Sequence, residues 1–548
     1  MTEIIRNSRA CQGLAAAGRK VAFWWKQGLL YRGAQALRRW NEQSVSLRLW
    51  LRFGRVENRA SSSLYAKVMH GLGRGVEWLG GLLASSLFYR ILLAIKSWYL
   101  HISSHSRILT WINKLSLHQW LLVAFAMYLP IEYSIRDVLG LSMLASVWEE
   151  LFIAIGVFMV LWRRALKQTE SLRRETPVDA WILLFMGVGF ALLSLVRPYP
   201  EVAFAGYRIV VQYMVWFFII IRLVENDRDF QVLYISFCLV LVGLALHGIY
   251  QYAIGVEIPS HWVSQTEMGV RTRVFSITGS PNIMGALMVL LAPLCASGIY
   301  YCRKPGMKLF CLALTGCAFL TLLFTFSRGA WIGMMVAVVL FALFVDKRLI
   351  ALMAAGISFV LVAVPSITSR ITYLFTQDFA EASAVGGRAM RWELGKNLLT
   401  ESHPWLGFGL GRYGGAVAME NQILDATEEF DYFYLDNYYL KTMVEMGYLG
   451  FIFYCLLLLG LAIWSIRAIQ QSAPRLSIQN GDPVVRGIGS YRVLAAALFA
   501  GMMGVLVHCL FENIFEEPYM TSYFWGMAAM LMYIGFFRKK GDDLCSTR

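Results

Sequence analysis

Residues 230–253 read FQVLYISFCLVLVGLALHGIYQYA, a run of 24 residues that contains no Asp, Glu, Lys or Arg. A helix needs about 20 apolar residues to cross the hydrocarbon core of a bilayer. The rest of the chain is similar, since 58% of its 548 residues are hydrophobic and only 16% are charged. A soluble domain uses about 25% charged residues to cover its surface. The composition therefore excludes a soluble globular enzyme and predicts an all-α polytopic membrane protein.

The lengths of the apolar runs predict about twelve transmembrane helices. One connection is much longer than the others: residues 365–439, between the ninth and tenth helices. Long loops on a rigid scaffold commonly carry function. The predicted spans are 118–134, 148–163, 178–196, 205–224, 230–253, 281–302, 307–325, 328–345, 348–364, 440–465, 490–512 and 519–537.

The distribution of Lys and Arg predicts the orientation. Residues 1–117 hold 18 Lys and Arg against four Asp and Glu. Placing this segment in the cytoplasm puts about twenty further basic residues on the same side, as the positive-inside rule requires. We therefore expect cytoplasmic N- and C-termini and an extracytoplasmic loop at 365–439. The expected domains are a basic amphipathic N-terminal region (1–117), a membrane domain (118–537) and a cytoplasmic tail (538–548).

The basic N-terminal region fits anionic membrane lipid better than nucleic acid. Within it, residues 78–100 are apolar enough to resemble a span, but Arg90 and Lys96 interrupt the run. Each would cost about 2.5–3.5 kcal/mol at the bilayer centre. We therefore predict an amphipathic helix that lies on the inner leaflet.

Arginines at the predicted outer boundary are the first candidates for binding. Arg328 follows Thr325-Phe326-Ser327 between two apolar runs. Such a side chain either reaches lipid phosphate or holds a bound phosphate in its two-pronged guanidinium. Arg208 has the same alternatives. Arg271 and Arg273 precede SPNIMG (280–285), where a helix N-terminus favours anions.

The long loop contributes further candidates. Arg388 and Arg391 are three residues apart on a predicted helix, so they share a face and could hold one diphosphate. In HPWLGFGLG (403–411) the glycines permit close backbone approach to a ligand, although a tight turn is the default interpretation. Asp436 precedes the tenth helix and could be its N-cap or a general base. His508 and Glu512 are four residues apart and are expected to pair.

Four blocks of this sequence resemble the O-antigen ligase and polymerase superfamily of bacterial envelope glycan transferases. They are SPNIMG (280–285), FSRGAW (326–331), Gly387-Arg388 running on to HPWLGFG (403–409), and DNYYL (436–440) with EMGYLG (445–450). The resemblance covers roughly residues 118–537. It implies a metal-independent glycosyltransferase of the bacterial inner membrane that uses no cofactor and binds no nucleic acid.

The resemblance also implies the substrates and the roles of individual residues. The donor would be a glycan on undecaprenyl diphosphate, and the acceptor a hydroxyl of a glycan, lipid or protein. Arg328 and Arg388 would hold the diphosphate. Asp436 stands where the ligases have a histidine base, in a motif that Asn437, Gly447 and Gly450 complete. Asp436 could instead only orient the acceptor, and Asp431 and the loop glutamates remain alternative bases. The remaining substrate-binding candidates are Arg208, Arg271, Arg273, Arg391, Asn437 and Tyr438.

The sequence leaves open both the type of transfer and two other classes of protein. The transfer could be a ligation or a polymerisation. A flippase for lipid-linked oligosaccharide, or another transporter, would also be polytopic, but it needs polar residues along a path at mid-bilayer depth. The candidate arginines cluster instead at the predicted outer boundary, which favours chemistry at the surface. A non-catalytic assembly scaffold is the third possibility.

Overall fold

The computed structural model describes residues 64–104, 106–166, 174–257, 272–364, 388–422, 435–472, 476–479, 482–485 and 490–538, together with 368–369, 372 and 376. Contacts divide the chain into Met1–Ala66 and Lys67–Arg548, and the second unit holds nearly all of the described residues. Most of the predicted N-terminal region and of the C-terminal tail lies outside the described residues.

The first half of the described chain consists of helices joined by short turns. They are α1 (Leu64–Ser85), α2 (Leu87–Ser104), α3 (Arg107–Ile112), α4 (Leu117–Ala126), α5 (Tyr128–Tyr133), α6 (Ser142–Ala145), α7 (Trp148–Ala165), α8 (Asp179–Leu195), α9 (Pro200–Val211), α10 (Val215–Leu223) and α11 (Asp227–Ile254). A 3₁₀ turn, Gln212–Met214, links α9 to α10, so the two form one helical stretch, Pro200–Leu223. Asn226 begins α11 by accepting a 3.0 Å hydrogen bond from the Asp229 amide, a standard N-cap.

The second half adds the remaining helices and one small hairpin. They are α12 (Pro281–Tyr301), α13 (Pro305–Phe324), α14 (Arg328–Phe344), α15 (Arg348–Ala363), α16 (Arg388–Glu401), α17 (Ala416–Asn421), α18 (Tyr438–Gln471), β1 (Leu476–Gln479), β2 (Asp482–Val485), α19 (Ser490–His508) and α20 (Pro518–Met532). The antiparallel pair β1–β2 lies in a connection between helices, where no strand was expected. The predicted helical membrane architecture is confirmed.

Each of the twelve predicted apolar segments contains helix, but their lengths differ. Within the described residues, seven helical stretches are long and apolar enough to cross a membrane. Four further apolar helices, α4, α8, α14 and α15, are shorter. The chain is thus a multi-pass membrane protein, and the count of twelve spans stays a prediction. The seven stretches are Pro200–Leu223, Asp227–Ile254, Pro281–Tyr301, Pro305–Phe324, Tyr438–Gln471, Tyr491–His508 and Pro518–Phe537.

Helix α12 lies at the centre of the bundle and packs against α11, α13, α14 and α19. Small residues permit this close packing. A Cβ added at Gly333 of α14 would lie 2.6 Å from the Gly504 carbonyl oxygen of α19, and one at Gly501 would lie 2.4 Å from the Leu290 oxygen of α12. Glycine at such contacts lets membrane helices approach backbone to backbone. The starts of α12 and α14 and the end of α19 consequently meet at one end of the bundle.

The opposite end of the bundle gathers ion pairs. Arg163 Nη2 lies 2.9 Å from Glu225 Oε2, and Arg538 Nε lies 3.0 Å from Asp227 Oδ1. His118 Nε2 lies 3.1 Å from the buried Asp229. Sequence analysis assigns this end to the cytoplasm, and that orientation stays a prediction.

Candidate active site

The described part of the long loop is folded onto the start of α18. A hydrophobic cluster made by Leu399, Tyr413, Leu435, Leu440 and Val444 joins α16, the glycine segment 403–411 and α18. The Tyr413 hydroxyl donates a 2.6 Å hydrogen bond to the Arg391 carbonyl oxygen of α16. This packing fixes the position of the α16 N-terminus, where Arg388 is the first helical residue.

Glycines let the loop pair with the backbone of α18. Helix α18 is kinked at Gly447, whose φ is +65°. Phe408 N donates to the Val444 oxygen at 2.8 Å, and Tyr448 N donates to the Pro404 oxygen at 2.8 Å. The glycines of the loop therefore allow close approach to a helix, whereas the sequence suggested approach to a ligand.

Replacing Gly447 with alanine should separate these two segments. The added Cβ would lie 2.5 Å from the Gly407 nitrogen and the Trp405 carbonyl carbon, at a φ that disfavours any side chain. Backbone strain alone costs on the order of 1–3 kcal/mol. We expect a lower midpoint of thermal unfolding in detergent than for Gly316→Ala, since a Cβ at Gly316 meets nothing within 4 Å. Equal midpoints for the two variants would show that this contact is not needed.

Three arginines and three helix N-termini converge on one cleft. The helices are α12, α14 and α16, and the last two begin with Arg328 and Arg388 themselves. A helix N-terminus carries roughly half a positive charge, so an arginine placed there adds to an already positive site. Such an arrangement favours an anion. The cleft is lined by Arg273, Asn282, Phe326, Ser327, Arg328, Gly329, Arg388, His508, Phe511 and Glu512.

A hydrogen-bonded chain fixes one wall of the cleft. Arg273 is buried, and its Nε donates to the Thr325 carbonyl oxygen at 3.0 Å while its Nη2 donates to Asn282 Oδ1 at 3.2 Å. Asn282 Nδ2 in turn donates to Glu512 Oε2. Phe326, next to Thr325, has a φ of +53°, a conformation that costs a non-glycine residue energy. This turn ends the connection from α13 and leads directly into Arg328.

Asp436 lies beside the cleft as the partner of two arginines. Its Oδ2 accepts a 3.1 Å hydrogen bond from Arg388 Nε and lies 3.6 Å from Arg391 Nη1. Asn437 is the N-cap of α18, because its Oδ1 accepts from the Leu440 amide at 3.0 Å. Tyr438 is buried at 5% exposure. The structure thus brings Arg388, Arg391 and Asp436 together, and the proposed roles of these three residues stay predictions.

Of two other predicted site residues, the structure describes only Arg208. Arg208 does not line the cleft: its Nη1 lies 3.0 Å from Glu150 Oε1, and half of its side chain is exposed. Arg271 lies outside the described residues. The proposed binding role of each stays a prediction.

Glu512 lines the cleft, but sequence analysis did not select it as a site residue. It was expected to pair with His508, but α19 ends at His508, and the described structure contains no hydrogen bond or ion pair between the two side chains. His508 is itself buried, with an Nδ1 that has no partner in the described part of the chain. Burial, and then the nearby Asp436 carboxylate, raise the pKa of Glu512 to about 7. The sequence signal was the acidic connection that contains Glu512, Glu516 and Glu517.

The comparisons with known proteins bear on this same region. Residues 312–455 match the family model described as O-antigen ligase. The resemblance to the O-antigen ligase and polymerase superfamily is confirmed. Comparison with curated proteins finds no match.

The O-antigen-ligase segment runs from α13 into α18 and carries Arg328, Arg388 and Asp436. Arg273, Asn282 and Glu512 lie outside it, so one wall of the cleft comes from parts of the chain that the match does not include. Among the described residues no cluster of three or more His, Cys, Asp or Glu side chains could hold a metal ion. Metal independence stays a prediction.

Proposed function

We propose that the protein transfers a glycan from an undecaprenyl-diphosphate carrier to an acceptor hydroxyl at the outer face of the bacterial inner membrane. The observation that carries the proposal is the convergence of Arg273, Arg328 and Arg388 with three helix N-termini in one cleft. Arg328 and Arg388 hold the diphosphate of the donor in this proposal. Asp436 contacts both Arg388 and Arg391 of α16 and so holds Arg388 in position in this proposal.

Glycan transfer from a diphosphate carrier requires a positively charged site of this kind. The bond from the anomeric carbon to the diphosphate breaks, and negative charge accumulates on the departing diphosphate. Fixed cationic donors stabilise that charge best when they are aimed at it before the reaction. Guanidinium groups suit this task because they keep their charge and bind phosphate oxygens in pairs. The acceptor must also lose a proton, and the two carboxylates at or beside the cleft, Asp436 and Glu512, are the candidates to take it.

The topology belongs to the same proposal. We infer twelve spans, with both termini in the cytoplasm and the 365–439 loop outside. This places the cleft at the extracytoplasmic boundary, where a lipid-linked donor presents its diphosphate. The N-terminal region 1–117 then lies in the cytoplasm, where its basic residues meet anionic lipid. The tail 538–548 lies on the same side.

A deletion strain tests the function directly. We expect it to accumulate lipid-linked glycan that lacks the next transfer, and we expect purified protein in liposomes to convert that extracted material into product. Accumulated single repeat units would indicate polymerisation, and accumulated full-length lipid-linked chains would indicate ligation. Movement of fluorescently labelled lipid-linked glycan across the liposome bilayer, without product, would instead establish a flippase.

A further inference from the structure

Glu512 contributes a carboxylate to the wall of the cleft. It lies beyond the end of α19, in the connection to α20, and lines the same cleft as Arg328 and Arg388. Its Oε2 accepts a hydrogen bond from Asn282, and its Oε1 accepts a 3.4 Å hydrogen bond from the Asn513 amide. Within the described residues, the carboxylate is thus oriented by neutral donors and forms no ion pair.

Asp436 is in the opposite situation. Arg388 and Arg391 both contact its Oδ2, and its side chain is not among those that line the cleft. These two contacts tie the Asp436 carboxylate to the arginines of α16, which suits it to holding them in position. A general base works best when its pKa is near the working pH. The two carboxylates at this site are therefore suited to different tasks.

The surroundings of Glu512 support its role as a proton acceptor. Burial and the Asp436 carboxylate raise its pKa to about 7, although Arg388 opposes the shift. An ordinary glutamate has a pKa of about 4.3, so its carboxylate is a weak proton acceptor at neutral pH. Among the described residues, the charged and titratable groups around Glu512 are Arg273 before α12, Arg328 of α14, Arg388 of α16, Asp436 before α18, His508 of α19 and the neighbouring Cys509.

We propose that Glu512 is the general base of the transfer and that Asp436 is a positioning residue for Arg388 and Arg391. This inference rests on the proposed function. The acceptor O–H bond breaks and its proton moves to the Glu512 carboxylate, while the oxygen forms a bond to the anomeric carbon. The carbon–oxygen bond to the diphosphate breaks in the same step. Its electron pair passes to the diphosphate oxygen, which the arginines stabilise.

Glu512→Gln tests the proposal because it keeps an oxygen that can accept the Asn282 hydrogen bond but cannot take a proton. The variant is reconstituted in liposomes with membrane extract from the deletion strain, which supplies donor and acceptor. Transfer should fall about 100-fold or more. Binding of undecaprenyl diphosphate should stay within about threefold of the unmodified protein. Glu401→Gln, at an exposed glutamate of α16, is the matched control.

The pH profile separates a base from a structural residue. Transfer by the unmodified protein should rise about tenfold per pH unit below pH 7 and level off above it, since the base must be deprotonated. Asp436→Asn should lower transfer by a smaller factor and keep a rise of the same slope, displaced to lower pH because the Asp436 carboxylate raises the pKa of Glu512. Glu512→Gln should lose the rise. Glu512→Asp should keep part of both the rate and the rise, because the acid is retained but shorter.

Three results would overturn the assignment of Glu512. They are transfer by Glu512→Gln within about threefold of the control, a pH rise that persists in Glu512→Gln, and a rise that disappears only in Asp436→Asn. The proposed function fails separately, if the unmodified protein forms no product from the same extract. A loss of undecaprenyl diphosphate binding in Glu512→Gln would show that the residue serves donor binding and would also refute the role as base.

Discussion

Replacing Arg388 or Arg328 with alanine is expected to lower the rate of glycan transfer at least about 100-fold, equivalent to about 2.7 kcal/mol of transition-state stabilisation. Both side chains line the cleft, and each begins a helix whose N-terminus adds positive potential. Losing one guanidinium removes a fixed charge from the place where the leaving diphosphate becomes more negative. The measurement is product formation by purified variants at matched protein levels.

The chemical identity of the cation should matter at Arg388. Lysine keeps the charge but offers one ammonium where arginine offers a planar pair of donors. In the structure, Arg388 Nε already contacts Asp436, so the terminal nitrogens are the ones left for phosphate oxygens. We therefore expect Arg388→Lys to transfer about tenfold more slowly than the unmodified protein, which is intermediate between arginine and alanine.

Arg348 offers a matched control for both alanine variants. It too is the first residue of a helix, α15, but it is exposed and does not line the cleft. Arg348→Ala should therefore transfer at nearly the normal rate. If Arg328→Ala and Arg388→Ala matched this control, the cleft would not be the site of the diphosphate, and the proposed function would lose its main support.

The helices and the three arginines of the cleft could be selected from the sequence for a physical reason, and the binding roles of these arginines stay predictions. Apolar run length determines where helices can cross a bilayer, and it is a local property of the chain. The cost of an arginine between apolar runs is local too, which singled out Arg328 before any contact was known. Arg388 and Arg391 could be paired with each other from helical spacing alone.

The acidic half of the site depends on contacts between distant segments. Glu512 becomes significant only because α19 ends at His508 and the next residues turn back towards Asn282, more than 200 positions earlier. Helix ends are not sharply marked in an apolar run, so the sequence extended this helix to residue 512. Arg208 shows the opposite outcome. Its position at the end of an apolar run suggested that it binds phosphate, but its side chain pairs with Glu150 of another helix.

Lys441 illustrates a buried charge that the sequence did not distinguish from an ordinary helix residue. Its Nζ lies 2.8 Å from Glu445 Oε2 and 2.9 Å from Glu516 Oε1, and the lysine is only 4% exposed. Each glutamate also accepts a hydrogen bond from a backbone amide of the long loop. Glu445 Oε1 accepts from the Tyr413 amide at 3.1 Å, and Glu516 Oε2 accepts from the Ala416 amide at 2.9 Å. One ammonium thus stabilises two carboxylates that attach residues 413–416 to the membrane domain.

Lys441→Met should therefore lower the free energy of unfolding by about 3–5 kcal/mol, since it keeps the length of the side chain but leaves two carboxylates buried without their cation. Denaturant unfolding in mixed micelles measures the loss. Lys396→Met, at an exposed lysine of α16, is the matched control and should change stability little. Adding Glu445→Gln and Glu516→Gln to Lys441→Met should recover part of the loss, because the buried charges disappear. If Lys441→Met unfolded like the control, the ion cluster would not hold the loop, and the positions of Arg388 and Asp436 would have to depend on the hydrophobic cluster and on the backbone hydrogen bonds between the loop and α18.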